Sequence, residues 1–192
     1  MEKIPLIVIT GPTASGKTGL AIALAQRFNA EIVSADSMQI YKYMNIGTAK
    51  PTSEEMGGIV HHMIDIVEPG EDYSVSQYCD TAKKVIEDVY RRGKNVILAG
   101  GTGLYIDSLI NGTGFGESGI DYKLREELEH LADIHGGEYL LDMLAGFDEV
   151  SAQKIHPNNV RRIIRAIEFY RINGTPISQH QSIQTDGGYR TI

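Results

Sequence analysis

Gly11-Pro12-Thr13-Ala14-Ser15-Gly16-Lys17-Thr18 has the G-x-x-x-x-G-K-[ST] spacing of a phosphate-binding P-loop. The apolar segment before it, Ile4–Thr10, reads as a short buried strand. The segment after it, Lys17–Phe28, carries Leu20-Ala21-Ile22-Ala23-Leu24-Ala25, a run of helix formers. Strand, glycine loop and helix in that order are the context the spacing requires. Gly11 and Gly16 let the backbone curl, so that successive N–H groups face one concavity at the positive end of the new helix. Lys17 adds a mobile positive charge, and the Thr18 hydroxyl is a candidate magnesium ligand. A phosphate or diphosphate site is expected here. The octapeptide does not say whose phosphate it holds.

The other 184 residues bound the possibilities. With 192 residues and 42% hydrophobic side chains, the chain can build one α/β core and a small appendage. Its net charge of −7 argues against a general nucleic-acid coat, whose affinity comes from a basic surface. A local basic patch remains compatible with it. Cys79 is the single cysteine, so neither an intrachain disulfide nor a cysteine-built metal site is expected. The start, Met1-Glu2-Lys3-Ile4-Pro5, lacks the basic region and long apolar run of a signal peptide. No apolar stretch reaches membrane-spanning length. A soluble cytoplasmic protein, not associated with a membrane, is expected.

The first half alternates strand and helix. After the P-loop helix, residues 31–34 form a second strand that runs into Ala35-Asp36-Ser37. Residues 63–67 predict a third, ended by Glu68-Pro69-Gly70. Ser74-Val75-Ser76-Gln77 resembles a capping box and opens a helix to residue 92, with Gly93 as its stop. Residues 95–99 are a further buried strand leading into Gly100-Gly101-Thr102-Gly103. Such alternation predicts a parallel sheet with helices on its faces. Gly112-Thr113-Gly114-Phe115-Gly116 has the composition of a hinge. Beyond it helices are expected at 122–134, 138–144 and 159–172, with a short turn at 151–155. The tail, from Gly187 to Ile192, reads as the beginning of a new apolar stretch.

Open parallel sheets bind ligands outside the carboxyl ends of their strands. The P-loop, Asp36 and the Gly100–Thr102 turn each follow such an end, so one rim should gather them. Asp36 suits either a carboxylate near magnesium or a general base; the plainer role is a turn cap. Gly100 and Gly101 would let backbone N–H groups approach a ligand closely. The strand at 95–99 ends in glycine, and Asp65 falls inside its strand. The Asp that serves magnesium in an ordinary P-loop ATPase is therefore absent from its expected place. On 159–172, Val160, Ile163, Ile164 and Ile167 form an apolar face, while Arg161, Arg162 and Arg165 lie elsewhere. Clustered guanidiniums suit phosphate backbones, although a solvated face paired with acids such as Glu168 is the plainer reading. Lys42 and Lys50 would extend a basic track from the rim. His61 and His62 would face opposite ways on a strand, so they cannot share one metal.

Together these residues make the chain resemble the tRNA dimethylallyltransferase (tRNA isopentenyltransferase) family. The match is carried by the P-loop octapeptide, Ser34-Ala35-Asp36-Ser37-Met38-Gln39-Ile40-Tyr41-Lys42, Met44-Asn45-Ile46-Gly47-Thr48-Ala49-Lys50-Pro51 and Gly100-Gly101-Thr102-Gly103-Leu104-Tyr105. A fifth segment is His156-Pro157-Asn158-Asn159 with the arginine helix. The resemblance implies a P-loop NTPase-like α/β core over 1–112 and a helical tRNA-binding insertion over 113–180. Residues 181–192 would begin a return to the core, in a chain shorter than the family's usual length. It also implies a monomer that moves the dimethylallyl group of dimethylallyl diphosphate to N6 of the adenosine beside the tRNA anticodon, releasing diphosphate. By position, Gly11, Pro12, Thr13, Ala14, Ser15, Gly16, Lys17 and Thr18 would hold the diphosphate, with Mg2+ at Thr18. Asp36 would accept the N6 proton, and Lys17 and Thr102 would steady the departing diphosphate. Asp36, Ser37, Met38 and Gln39, with Arg161, Arg162, Ile163, Ile164 and Arg165, match tRNA-contacting segments. The base must leave its stack to reach such a site. Competing readings are an adenylate isopentenyltransferase, a P-loop small-molecule kinase, or a non-catalytic nucleotide-binding module.

Overall fold

The computed structural model describes residues 3–112, 121–179 and 187–192. The chain divides into two compact units, Met1–Gly114 with Ile183–Ile192, and Phe115–Ser182. The glycine-rich stretch expected to act as a hinge lies, beyond Gly112, outside the described residues.

Largely apolar runs too short for helices become the three central strands of the first unit, with two short polar strands at the sheet's edges. In chain order its elements are β1 (Ile4–Thr10), α1 (Lys17–Phe28), β2 (Ala30–Ser34), β3 (His61–His62), α2 (Val75–Arg91), β4 (Asn95–Gly100), α3 (Gly103–Asn111) and β5 (Tyr189–Thr191). The strands form one parallel sheet in the order β3-β2-β4-β1-β5, with helices flanking it: an α/β fold. Both faces are covered, because side chains alternate along each strand. Ile9, Ile32 and Ile97 pack with Ala21 and Ala25 of α1. Leu6, Val33, Val96 and Leu98 pack with Tyr78, Ala82 and Ile86 of α2 and with Tyr105 and Leu109 of α3. The small alanines of α1 allow the helix that follows the P-loop to lie close on the sheet. At the start of α2, Ser74 Oγ accepts the Gln77 N–H while Gln77 Oε1 accepts the Ser74 N–H, the expected capping box.

Register then positions the site. Ala99 is paired with Ile9 on one side and with Ser34 on the other. Three adjacent strands therefore end abreast, and their exits open onto one rim.

The third strand is not where the apolar pattern put it. Only His61 and His62 pair with β2, and residues 63–67 form a bend in which Val67 makes an isolated bridge to Tyr41. Met63 and Asp65 have φ of 63° and 56°, a left-handed conformation that no strand can carry. The backbone N–H groups of Asp65, Ile66 and Val67 bond instead to the carbonyls of Gln39 and Ile40. Met63 and Val67 are still buried, which is why the run reads as a strand: burial is real and the backbone is not extended.

The second unit contains α4 (Tyr122–His135), α5 (Gly137–Ala145), α6 (Glu149–Lys154) and α7 (Val160–Asn173). Leu128, Leu140, Leu144, Ile163, Ile164 and Ile167 form its core. The turn expected at 151–155 is a helix, because Asp148 caps it: Oδ1 accepts the Ser151 N–H at 3.0 Å, and Oδ2 accepts the Ser178 N–H at 3.0 Å. A Cβ on Gly137 would stand 2.0 Å from the Pro157 carbonyl oxygen, so that α5 begins against the turn before α7 only with glycine there.

Candidate functional site

The P-loop leaves β1 and enters α1 through Gly16, whose φ of 81° places it in the left-handed region. Ala14 shares that conformation at 63°. Open space surrounds the Gly16 Cα, so it is backbone conformation that calls for glycine here. The Lys17 ammonium lies over its own loop, donating to the Pro12 carbonyl at 2.5 Å and standing 3.5 Å from Ser15 Oγ. Thr13, Ala14 and Thr18 are exposed around it.

At the exit of β2, Asp36 Oδ1 accepts the backbone N–H groups of Met38 at 2.9 Å and Gln39 at 3.2 Å. This is the turn-capping role open to any such Asp, and it occupies one oxygen. Among the described residues the other oxygen, Oδ2, has no hydrogen-bond partner. The exit of β4 presses against this turn. A Cβ on Gly100 would stand 2.1 Å from the Ala35 carbonyl oxygen, and that carbonyl accepts the Thr102 N–H at 3.0 Å. Thr102 Oγ1 in turn accepts the Ser37 N–H at 2.9 Å. The Gly-Gly signal in the sequence thus marks a close approach of two backbones.

These exits enclose a cleft of about 90 Å³ whose walls include Thr13, Lys17, Thr18, Asp36, Gln39 and Gly100. Cation, hydroxyl and carboxylate meet there, as the rim argument expects. Thr102 stands behind the wall as a clamp on Ser37. The sequence reading missed a further wall, Thr48 and Ala49, because they come from a loop without periodic pattern. Gln39 ties it on, its amide donating to the Thr48 and Ala49 carbonyls at 3.2 and 3.3 Å.

The basic track expected from Lys42 and Lys50 is not built. Lys42 donates to Glu68 at 2.6 Å. Lys50, its side chain 4% exposed, donates to the Tyr41 carbonyl at 2.7 Å, to Asn45 Oδ1 at 3.2 Å and to Asp65 Oδ1 at 2.5 Å. Both pin the loop after β2. Asp65, expected inside a strand, is the acid that holds Lys50.

In the second unit, Arg161 and Arg162 are exposed on α7. Ile163 and Ile164 are buried in that unit's core, so only the arginines of this segment offer side chains to a ligand. Arg165 donates to Glu168 Oε2 at 2.7 Å, and Arg125 reaches both Glu168 oxygens at 2.8 Å. Burial opposes the charge on Glu168. The two guanidiniums and the Asp121 N–H outweigh it and hold the carboxyl below its usual range.

Among the described residues no three His, Cys, Asp or Glu side chains gather as a metal cage. One hydroxyl, Thr18, beside the glycine-rich loop is a donor set that Mg2+ could use, since that ion keeps its waters and takes most other ligands from a bound phosphate. Among the described residues no helix is long and apolar enough to cross a membrane.

A family model described as IPP transferase matches residues 39–192. A curated tRNA dimethylallyltransferase of Thermoanaerobacter sp. (strain X514) is 52% identical over 180 residues, 94% of this chain and 57% of that protein. The crystal structure of a tRNA isopentenylpyrophosphate transferase of Staphylococcus epidermidis is 46% identical, with a TM-score of 0.60 over 98% of this chain and 62% of its own. A eukaryotic dimethylallyltransferase, solved in a study of its action on tRNA, is 33% identical with a TM-score of 0.82, over 98% of this chain and 47% of its own. The chain thus spans about half the length of the relatives it matches.

Proposed function

Because the chain belongs to the IPP transferase family, we propose that it carries the reaction centre of a tRNA dimethylallyltransferase. The observation that supports this reading most is that Lys17, Thr18 and Asp36 line one cleft. In this reading the diphosphate of dimethylallyl diphosphate lies on the N–H groups of Thr13 to Thr18 with the Lys17 ammonium over it. N6 of the adenine attacks C1 of the allyl group, and a C–N bond forms. The C1–O bond breaks with its electron pair leaving on diphosphate, and the N6 proton passes to Asp36 Oδ2. A purine amine is a weak nucleophile, so a carboxylate on its proton helps. An allylic carbon ionises readily once the charge on its leaving group is neutralised. Thr102 acts from behind the cleft wall, holding the turn that carries Asp36 by accepting the Ser37 N–H and donating to Ser37 Oγ. When bound at Thr18, Mg2+ would neutralise part of the charge of the departing diphosphate.

The absence of an ATPase-type magnesium Asp fits this chemistry, in which no γ-phosphate moves. The second unit offers Arg161 and Arg162 to the tRNA backbone, and the turn Asp36–Gln39 faces the extruded base. A tRNA acceptor implies work in the cytoplasm. The test offers labelled dimethylallyl diphosphate with an anticodon stem-loop, with AMP, and, separately, labelled ATP with small acceptors. Label on the RNA adenosine is expected; label on AMP alone, or phosphate transfer, would replace this reading by one of the other two enzymes.

A further inference from the structure

Beside the cleft, His61 on β3 carries a nitrogen, Nε2, that is buried and finds no hydrogen-bond partner among the described residues. The other ring nitrogen, Nδ1, lies 2.9 Å from the Ile59 carbonyl oxygen. A carbonyl only accepts, which assigns the proton to Nδ1 and leaves Nε2 with a lone pair. Burial pushes the imidazole below its ordinary value, in keeping with a neutral ring. A buried acceptor without a donor is costly, and proteins usually answer it with a water.

His61 lines a cavity of about 30 Å³ together with Thr18, Ser34 and Gln39. That space is large enough to admit water. Ser34 already donates to Gln39 Oε1 at 3.3 Å. Both amide hydrogens of Gln39 go to the Thr48 and Ala49 carbonyls. Neither side chain has a hydrogen left for His61. Thr18 is the hydroxyl that remains, and it lines this cavity and the cleft alike. A hydroxyl that ligates a cation does so through oxygen lone pairs, so its hydrogen must point elsewhere and needs an acceptor.

We infer that His61 is a positioning residue for Thr18. One water in the cavity accepts the Thr18 hydroxyl hydrogen and donates to His61 Nε2, its second hydrogen going to the Ser34 oxygen. The Thr18 oxygen is thereby kept facing a divalent cation in the cleft. This rests on the reading of Thr18 as a cation ligand given above.

Calorimetric titration of inorganic diphosphate into the full chain, with and without Mg2+, tests it. His61→Phe removes the acceptor. His61→Asn retains a donor toward Ile59 but falls short of the cavity, and serves if the Phe variant does not fold. His61→Gln returns an amide oxygen near the Nε2 position. Loss of an outer-shell partner weakens a metal site about 10- to 100-fold. The Phe and Asn variants should lose about 10-fold or more of the affinity gained from Mg2+ while binding metal-free diphosphate as the wild type does. His61→Gln should recover most of the loss. An unchanged Mg2+ dependence in the Phe and Asn variants overturns the role of His61 alone. So does an equal loss with and without metal, or a Gln variant no better than the others. A wild type whose diphosphate affinity ignores Mg2+ overturns the reading of Thr18, and this inference with it.

Discussion

The Thr102 hydroxyl oxygen accepts the Ser37 backbone N–H at 2.9 Å and stands 3.2 Å from Ser37 Oγ. Two turns 65 residues apart in the chain are joined by one side chain, and the turn it holds is the one that carries Asp36. Thr102→Val keeps the shape and removes both bonds. It should cost about 1–2 kcal/mol of stability and slow prenyl transfer about 10- to 100-fold. Thr102→Ser should stay within a few-fold of the wild type. Thermal melts and single-turnover rates on the same samples measure both effects.

Asp36 has one oxygen that caps its turn and another without a hydrogen-bond partner among the described residues. Asp36→Asn can keep the bonds from Met38 and Gln39 to Oδ1 and loses only the basic oxygen. Transfer should fall by about 10²–10⁴-fold, while diphosphate affinity and melting temperature hold. Near-normal turnover by this variant would remove Asp36 from the chemistry.

Gly100 and Gly103 lie three residues apart and should respond oppositely to a methyl group. At Gly100 the added carbon meets the Ala35 backbone, whereas at Gly103 it meets nothing within 4 Å. Gly100→Ala should destabilise by about 1–3 kcal/mol, and Gly103→Ala, inside α3, should be neutral or mildly stabilising. Urea denaturation curves separate the two.

The arginines of α7 divide in the same way. Arg161→Ala combined with Arg162→Ala should flatten the salt dependence of tRNA binding by about one unit of slope for each phosphate no longer neutralised, with the fold intact. Arg165→Ala removes a partner from the buried Glu168, so it should also lower the melting temperature. An unchanged salt slope in the double variant would return Arg161 and Arg162 to the solvated surface.

At the opposite end of β2, buried Glu31 accepts two bonds from Arg92 at 2.7 Å, one from Lys94 at 2.7 Å, and lies 2.7 Å from His62 Nε2. The Arg92 guanidinium above all, with Lys94 and His62, holds its carboxyl far below the usual carboxylate range against the opposing effect of burial. A depressed carboxyl contributes stability above its unfolded value of about 4.3, and that contribution is lost as pH falls below it. Between pH 5 and pH 3 the wild type should therefore lose melting temperature more steeply than Glu31→Gln. Parallel acid branches would show that the network adds no pH-dependent stability.

Much of this was legible in the residues because local rules governed it. The P-loop, its flanking strand and helix, the capping box at Ser74 and the apolar stripe of α7 each depend on neighbours within a turn or two, and their boundaries follow. The rim was legible at one remove: parallel strands must end together, so Asp36 and Gly100 had to approach the loop. Residues 63–67 show where such reasoning stops. Their burial was readable, but the left-handed Met63 and Asp65 were not, because those conformations answer to carbonyls of Gln39 and Ile40 and to an ammonium at Lys50, all distant in the chain.

By itself, then, the order of amino acids determined the sheet's alternation, the glycine-rich loop after β1 and the place of the candidate base, since hydrophobic period and glycine placement act over a few residues. Tertiary structure alone decided which of the polar groups are already engaged. It tied Lys42 and Lys50 to acids, set Arg165 on Glu168, turned Thr102 toward Ser37 and left His61 Nε2 without a protein donor among the described residues. The physical reason is that hydrogen bonds and ion pairs are short-ranged and directional. Their partners are chosen only when the packed core has brought separate stretches of chain within about 3 Å of each other.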